Sequence, residues 1–378
     1  MAIALTKPHP RISAALTLIL VCGFFSQALQ VAATTSLTID EGLHIASGYT
    51  IWRTGDYRLI EEHPPAVKLW MTLPLLPLSD LVDPTTLPAW DRAASPTTES
   101  LPLLQMAQQL LYPYQPVDRW LFPARAMSTL LGVLLLAVLS RWTRETVGVT
   151  GSLIALALAS FDPNLLAHAA VAGTDLGATT FITLALWQAT RFLETPDRQG
   201  TLASGVTLGL ALAAKLTSLL LGIALVFAGL VRLRTVPGSQ RTSLLRQAAG
   251  VLAIALAVLW VSYGLQVGTL PGFPFPVPAA DHRIPVLRLL SHSQGGHQAF
   301  LLGRNSMHGW WYYFPVAFLV KTPLPALLGL AIAAGCAIVP GGSSGHRKRP
   351  FRIPVSPAWA FLVVYAGTVA AAGARKAY

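Results

Sequence analysis

Charge and thiols are what this sequence has least of. Only 11% of its 378 residues are Asp, Glu, Lys or Arg, where a soluble domain carries roughly 25%. A chain so poor in charge and 53% hydrophobic, with mean hydropathy +0.55, belongs among membrane proteins. The net charge of +11 does not signal nucleic acid, because the basic residues fall in short clusters between apolar runs, as topology signals do. There are only two cysteines, Cys22 and Cys336, both within apolar runs. They behave there as small hydrophobes and imply neither a disulfide framework nor a thiolate metal site. Also lacking are a phosphate-binding glycine loop, a Gly-x-Ser-x-Gly elbow and a His-Glu-x-x-His helix. His292, His297 and His308 are spaced too irregularly for a compact metal site.

What is there is a series of runs long enough to cross hydrocarbon, which takes about 20 apolar residues. The first extends from Ile12 to Ala33 behind Lys7 and Arg11. It exceeds the apolar core of a signal peptide, about 7–15 residues, and reads as a retained anchor. Further spans are expected over 123–140, 149–161, 174–193, 202–232, 247–267, 310–338 and 356–374. The 202–232 block is too long for one ordinary span and is interrupted by Lys215. With basic residues on both flanks it reads as two short helices meeting near Lys215–Ser218. The fold class is therefore an all-α polytopic membrane protein with about nine spanning or re-entrant helices. It reads as one domain over 1–378, with two large loops at 34–122 and 268–309. The first loop holds ten of the sixteen acidic residues, and the positive-inside rule places both loops outside the cytoplasm. The proline-rich LPGFPFPVP at 270–278 reads as an extended loop, and Gly205/Gly209 as a helix-packing signal.

The polar residues gather at the bilayer boundary. IDEGLHIASGYTIW (39–52) suits a helix along the membrane surface, with Asp40, Glu41 and His44 on one side and Ile45, Tyr49 and Trp52 as its apolar flank. In GDYRLIEEHPPAVKLW, Glu61, Glu62, His63 and Lys68 stand together around Pro64-Pro65, which stiffens the segment. Two acidic clusters on one loop can converge on a site where a carboxylate acts as a general base or holds a divalent cation. Arg125, Asp175 and Lys321 lie at membrane depth, where ionisable residues are costly and functional. The aromatic run Trp310–Phe314 reads as an interfacial belt.

In chain order, IDEGLHIASGY, TGDYRLIEEHPPAVKLW, DPNLLAHAAVAGTDLGATTF, LGLALAAKLTSLLL and GWWYYFPVAFLVKTPLP resemble blocks of the bacterial protein mannosyltransferase family. These are glycosyltransferase family 39 enzymes of the membrane-embedded C-type fold, related to aminoarabinose transferases. The resemblance implies transfer of a sugar, a mannose-like hexose or a pentose, from a polyprenyl-phosphate donor to a hydroxyl on a protein or lipid acceptor. It places the reaction at the outer face of the bacterial inner membrane, with no nucleic acid involved. It assigns Asp40, Glu41 and Asp175 to catalysis, with Asp40 as base, and His63, Lys68, Arg125 and Lys321 to the donor phosphate. Glu62 is the one candidate metal ligand, and a divalent metal bridging it to the phosphate is the one cofactor implied. Direct displacement predicts inversion at the anomeric carbon. Relatives continue into further helices, so the C-terminus at AGARKAY carries the expectation of a truncated chain. The competing readings are a lipid-linked-sugar flippase or transporter, using the broken helix near Lys215, and a non-catalytic membrane partner.

Overall fold

The computed structural model describes residues 9–60, 62–78, 81–92, 101–113, 116–295, 298–307 and 309–338. The expected span at 356–374 lies outside them, as do Glu61, His297 and His308. The chain divides into two compact units, Met1–Leu219 with Thr242–Ser291, and Leu220–Arg241 with His292–Tyr378.

The first unit opens with α1 (Pro10–Thr34), started by Pro10 in the first turn. Leu18 and Ile19 are each 64% exposed on it, and Cys22 is exposed rather than buried. An apolar surface of this kind is stable against lipid and costly in water. Phe24 and Ala28 form the opposite, buried face. Helix α2 (Ile39–Thr54) begins with the Glu41 carboxylate accepting from the Thr38 N–H at 2.9 Å, and it stops at Gly55 in the left-handed conformation. Then come α3 (Ala66–Thr72), α4 (Pro88–Arg92) and α5 (Leu101–Leu111). Ile45, Tyr49, Val67, Met71, Leu103 and Leu110 belong to one core that joins α2, α3 and α5.

The expected pair of spans at 123–140 and 149–161 is present as α6 (Asp118–Ser160), which is two helices meeting at Gly148 (φ 82°, ψ −176°). Ser152 Oγ donates to the Ser140 carbonyl at 2.7 Å. Twelve residues of straight helix would separate those groups by about 18 Å, so the chain turns back at Gly148. α7 (Pro163–Ala169) is capped by Asp162, whose carboxylate accepts from the Asn164 and Leu165 N–H groups. α7 and α8 (Thr174–Glu194) meet at a bend of 115°.

Helix α9 (Arg198–Ala214) ends where Lys215 becomes extended (φ −157°, ψ 141°). A short 3₁₀ turn at Leu216–Ser218 follows, then α10 (Leu219–Thr235). The 202–232 block is thus two helices broken at Lys215, as its length and lone cation predicted. α11 (Gly238–Ser262) leads into the antiparallel ribbon β1 (Val267–Gly268) and β2 (Val277–Pro278), then α12 (Arg283–Gly295). α9 lies close against α11, because a Cβ on Gly205 or Gly209 would come within 2.6 Å of the Ile254 or Val258 Cβ.

The second unit contains α10, the hairpin β3 (Ala299–Leu301) and β4 (Arg304–Ser306), α13 (Tyr313–Lys321) and α14 (Leu324–Ile338). α13 and the following helix are bent by 111°. Among the described residues four helices are long and apolar enough to cross a membrane, or up to six if each bent pair is one span. The protein is a helical polytopic membrane protein.

Candidate active site

The first turn of α2 carries Asp40 and Glu41 in opposite situations. Asp40 is exposed and makes no hydrogen bond or ion pair among the described residues. Glu41 is completely buried, with Arg125, itself 1% exposed, against it. Arg125 Nε and Nη2 reach the two carboxylate oxygens at 2.7 and 2.8 Å. The Ala172 N–H donates to Oε1 at 2.9 Å. Burial alone would raise the Glu41 pKa. The hydrogen bonds from Arg125, Ala172 and Thr38 outweigh it and hold the carboxyl below its ordinary value.

Arg125 also donates to the carbonyls of Ala32, Thr35 and Ser36. All five guanidinium N–H groups are thereby occupied. The group ties together the end of α1, the start of α2, α6 and the segment before α8. This corrects the expectation for Arg125: in this structure it has no donor left for a phosphate, and it positions the backbone on which Asp40 sits. Glu41 is correspondingly an anchor, inaccessible to an acceptor hydroxyl.

Lys68 is also withdrawn from the surface. It is fully buried, and its ammonium donates to the Ile60 carbonyl. It lies on the face of α3 nearest α2, where a Cβ on Gly48 would come 2.4 Å from the Lys68 carbonyl oxygen. Trp52 Nε1 donates to the Leu69 carbonyl at 2.9 Å, and Trp70 Nε1 to the Met127 carbonyl at 2.8 Å. These bonds fix α3 between α2 and α6.

His44 lies one turn after Asp40 on the same side of α2. Its ring centroid is 5.6 Å from that of His63. Burial, and then the charges of Lys68 and its neighbours, hold His44 well below its ordinary pKa. The same causes, burial first and then Lys68 and Lys215, outweigh the opposing charge of Asp175 and bring His63 down to about 3. Both imidazoles are thereby held neutral near pH 7.

Asp175, in the first turn of α8, is more than half exposed. It accepts through Oδ1 from the Lys215 ammonium, and Oδ2 lies 4.0 Å from His168 Nδ1. The backbone around His168 is held by α6, where Thr129 Oγ1 donates to the Ala169 carbonyl at 2.9 Å and Ser128 Oγ to the His168 carbonyl at 3.5 Å. The sequence marked Lys215 only as a helix break and did not single out His168, so neither was among the expected site residues. A lone cation ending a helix at membrane depth was the available signal for Lys215, and His168 offered none beyond its proximity to Asp175.

Glu62 is half-buried. Among the described residues no group of three or more His, Cys, Asp or Glu side chains is arranged to hold a metal ion. Lys321 ends α13 in the second unit.

Residues 118–263 match the family model described as dolichyl-phosphate-mannose-protein mannosyltransferase. The match runs from α6 through α11 and takes in Arg125, His168, Asp175 and Lys215, while Asp40, Glu41, Glu62, His63, Lys68 and Lys321 fall outside it. No curated protein and no solved structure matches the chain. That match supports a mannosyltransferase-like glycosyltransferase, and the apolar helices support a membrane protein.

Proposed function

We propose that the chain transfers a sugar from a polyprenyl-phosphate donor to a hydroxyl acceptor at the extracytoplasmic face of the membrane, with inversion at the anomeric carbon. The observation that carries this reading is the Lys215–Asp175–His168 group at the break between α9 and α10. It sets a cation and an imidazole on either side of a carboxylate, and all three residues fall within the segment that matches the mannosyltransferase model. A lipid-linked donor stays in the bilayer, so its phosphate has to be met where helices end.

Asp40 is the base of this mechanism. It removes the proton from the acceptor hydroxyl as that oxygen attacks the anomeric carbon. The bond from that carbon to the phosphate oxygen breaks, and the electron pair leaves with the polyprenyl phosphate. Lys215 offsets the negative charge gathering on the leaving group, while Asp175 holds the ammonium in place. His168 and His63 supply hydrogen bonds. Glu41 and Arg125 act only by fixing the first turn of α2.

The test uses the full chain in lipid with radiolabelled polyprenyl-phosphate hexose and a broad set of hydroxyl acceptors. Release of polyprenyl phosphate by the wild type, lost in Asp40→Asn while donor binding is kept, supports the reading. Donor binding without turnover in both proteins removes the catalytic assignment, and absence of donor binding removes the donor.

A further inference from the structure

No charged residue occurs between Arg246 and Asp281. The first part of that interval is α11, but residues 263–279 are not helical and still carry no charge. Its base is firmly held. Val267 pairs with Pro278 and Gly268 with Val277, and the Ala279 N–H donates to the Gln266 carbonyl at 2.9 Å. The same carbonyl accepts from Trp260 Nε1 at 2.8 Å, the Gln266 amide reaches the Gly55 carbonyl, and Tyr263 O–H lies 3.1 Å from His282 Nδ1. Beyond this base the loop projects. Phe273 and Phe275 are 51% and 67% exposed, with ring centroids 6.3 Å apart.

The tip is shaped in advance. Leu270-Pro271-Gly272-Phe273 closes with the Phe273 N–H donating to the Leu270 carbonyl at 3.0 Å, and Gly272 has φ 76°. That is a type II turn, with proline and glycine at the positions it requires. Four of the nine residues Leu270–Pro278 are prolines. Each fixes φ, which limits the entropy lost when the loop is seated, and each removes a backbone N–H. A loop entering a low-dielectric region pays for every unsatisfied donor, so the three donors missing at Pro271, Pro274 and Pro276 make burial at the headgroup boundary less costly. The remaining carbonyls keep it out of the hydrocarbon centre.

We propose that the Thr269–Pro276 loop is an interfacial wedge that seats Phe273 and Phe275 in the membrane leaflet at the C-terminal end of α11. Continuity with that span fixes the occupant. The loop leaves the helix within a few residues of the bilayer boundary, without charge and with aromatic rings of the kind that collect at membrane interfaces. This inference rests on α11 as a membrane span and is independent of the reaction proposed above.

The experiment places a polarity-sensitive fluorophore at Phe275→Cys, and separately at Phe273→Cys, in a Cys22→Ala, Cys336→Ala background of the full chain in lipid nanodiscs. Two quenchers are compared, a nitroxide high on the lipid acyl chain and aqueous iodide. The expected result is loss of fluorescence with the lipid-borne nitroxide, little loss with iodide, and blue-shifted emission. Quenching by iodide alone puts the loop in water and overturns the proposal. Protection from both quenchers also overturns it, because the loop is then covered by polypeptide. Two label sites keep the test decisive if one variant does not fold.

Discussion

Neighbouring carboxylates in one helical turn sit in opposite surroundings, Asp40 exposed and Glu41 buried, and the difference is testable at each residue. Glu41→Gln keeps the shape but leaves the Arg125 guanidinium buried without its counter-charge. Breaking a buried pair from one side costs about 3–5 kcal/mol, so a clearly lower unfolding midpoint is expected. A variant as stable as the wild type yet inactive would return Glu41 to the chemistry. Lys215→Met should do the reverse, preserving the midpoint while weakening binding of polyprenyl phosphate, as measured by titration. His63 provides a pH signature. Its folded-state pKa of about 3 lies below the ordinary 6.5, so between those values the unfolded chain binds more protons and stability falls as pH falls. Above about pH 6.5 the contribution is fully present. His63→Gln should therefore flatten the loss of thermal stability on acidification from pH 6.5 towards 3, and an unchanged profile would show that the imidazole is not held neutral.

At the scale of elements, the sequence was most legible where a single run of side chains decided the outcome. The long apolar stretches became α1, α6, α8 and α11, and the lone Lys215 marked a real helix break. The three- and four-residue spacing from Asp40 to His44 foretold α2. What stayed hidden depended on pairing across sequence. Arg125 meets Glu41 from 84 residues away, and both are charged residues at the bilayer boundary, the feature that suggested phosphate contact for Arg125 and catalysis for Glu41. Nothing local separates a cation that faces a substrate from one that closes a polar knot. The small-residue spacing of Gly205 and Gly209 was read correctly as packing. A Cβ on Gly209 would meet the Val258 Cβ at 2.6 Å and the Ala255 carbonyl at 2.7 Å. Gly209→Leu should force α9 and α11 apart at a cost of about 1–3 kcal/mol, seen as a lower unfolding midpoint. Gly222→Leu, where nothing lies within 4 Å of the added Cβ, should leave it unchanged.

For the whole molecule the decisive quantity is the distribution of charge across the bilayer. Arg141 and Arg144 lie at the end of the part of α6 that precedes Gly148, Arg191 ends α8 and Arg198 opens α9, while Asp118 and Asp175 open α6 and α8 and Asp162 caps α7. Basic residues are retained on the cytoplasmic side, so the α7–α8 turn, with His168 and Asp175, is expected outside. Ala167→Cys on α7 and Gln199→Cys at the start of α9 then lie on opposite faces of the membrane. In a Cys22→Ala, Cys336→Ala background, a membrane-impermeant maleimide should label Ala167→Cys in intact cells and Gln199→Cys only after permeabilisation. The reverse pattern would move the candidate site to the cytoplasmic side. A lipid-linked donor would then have to present its sugar inwards, and the acceptors to test would be cytoplasmic molecules.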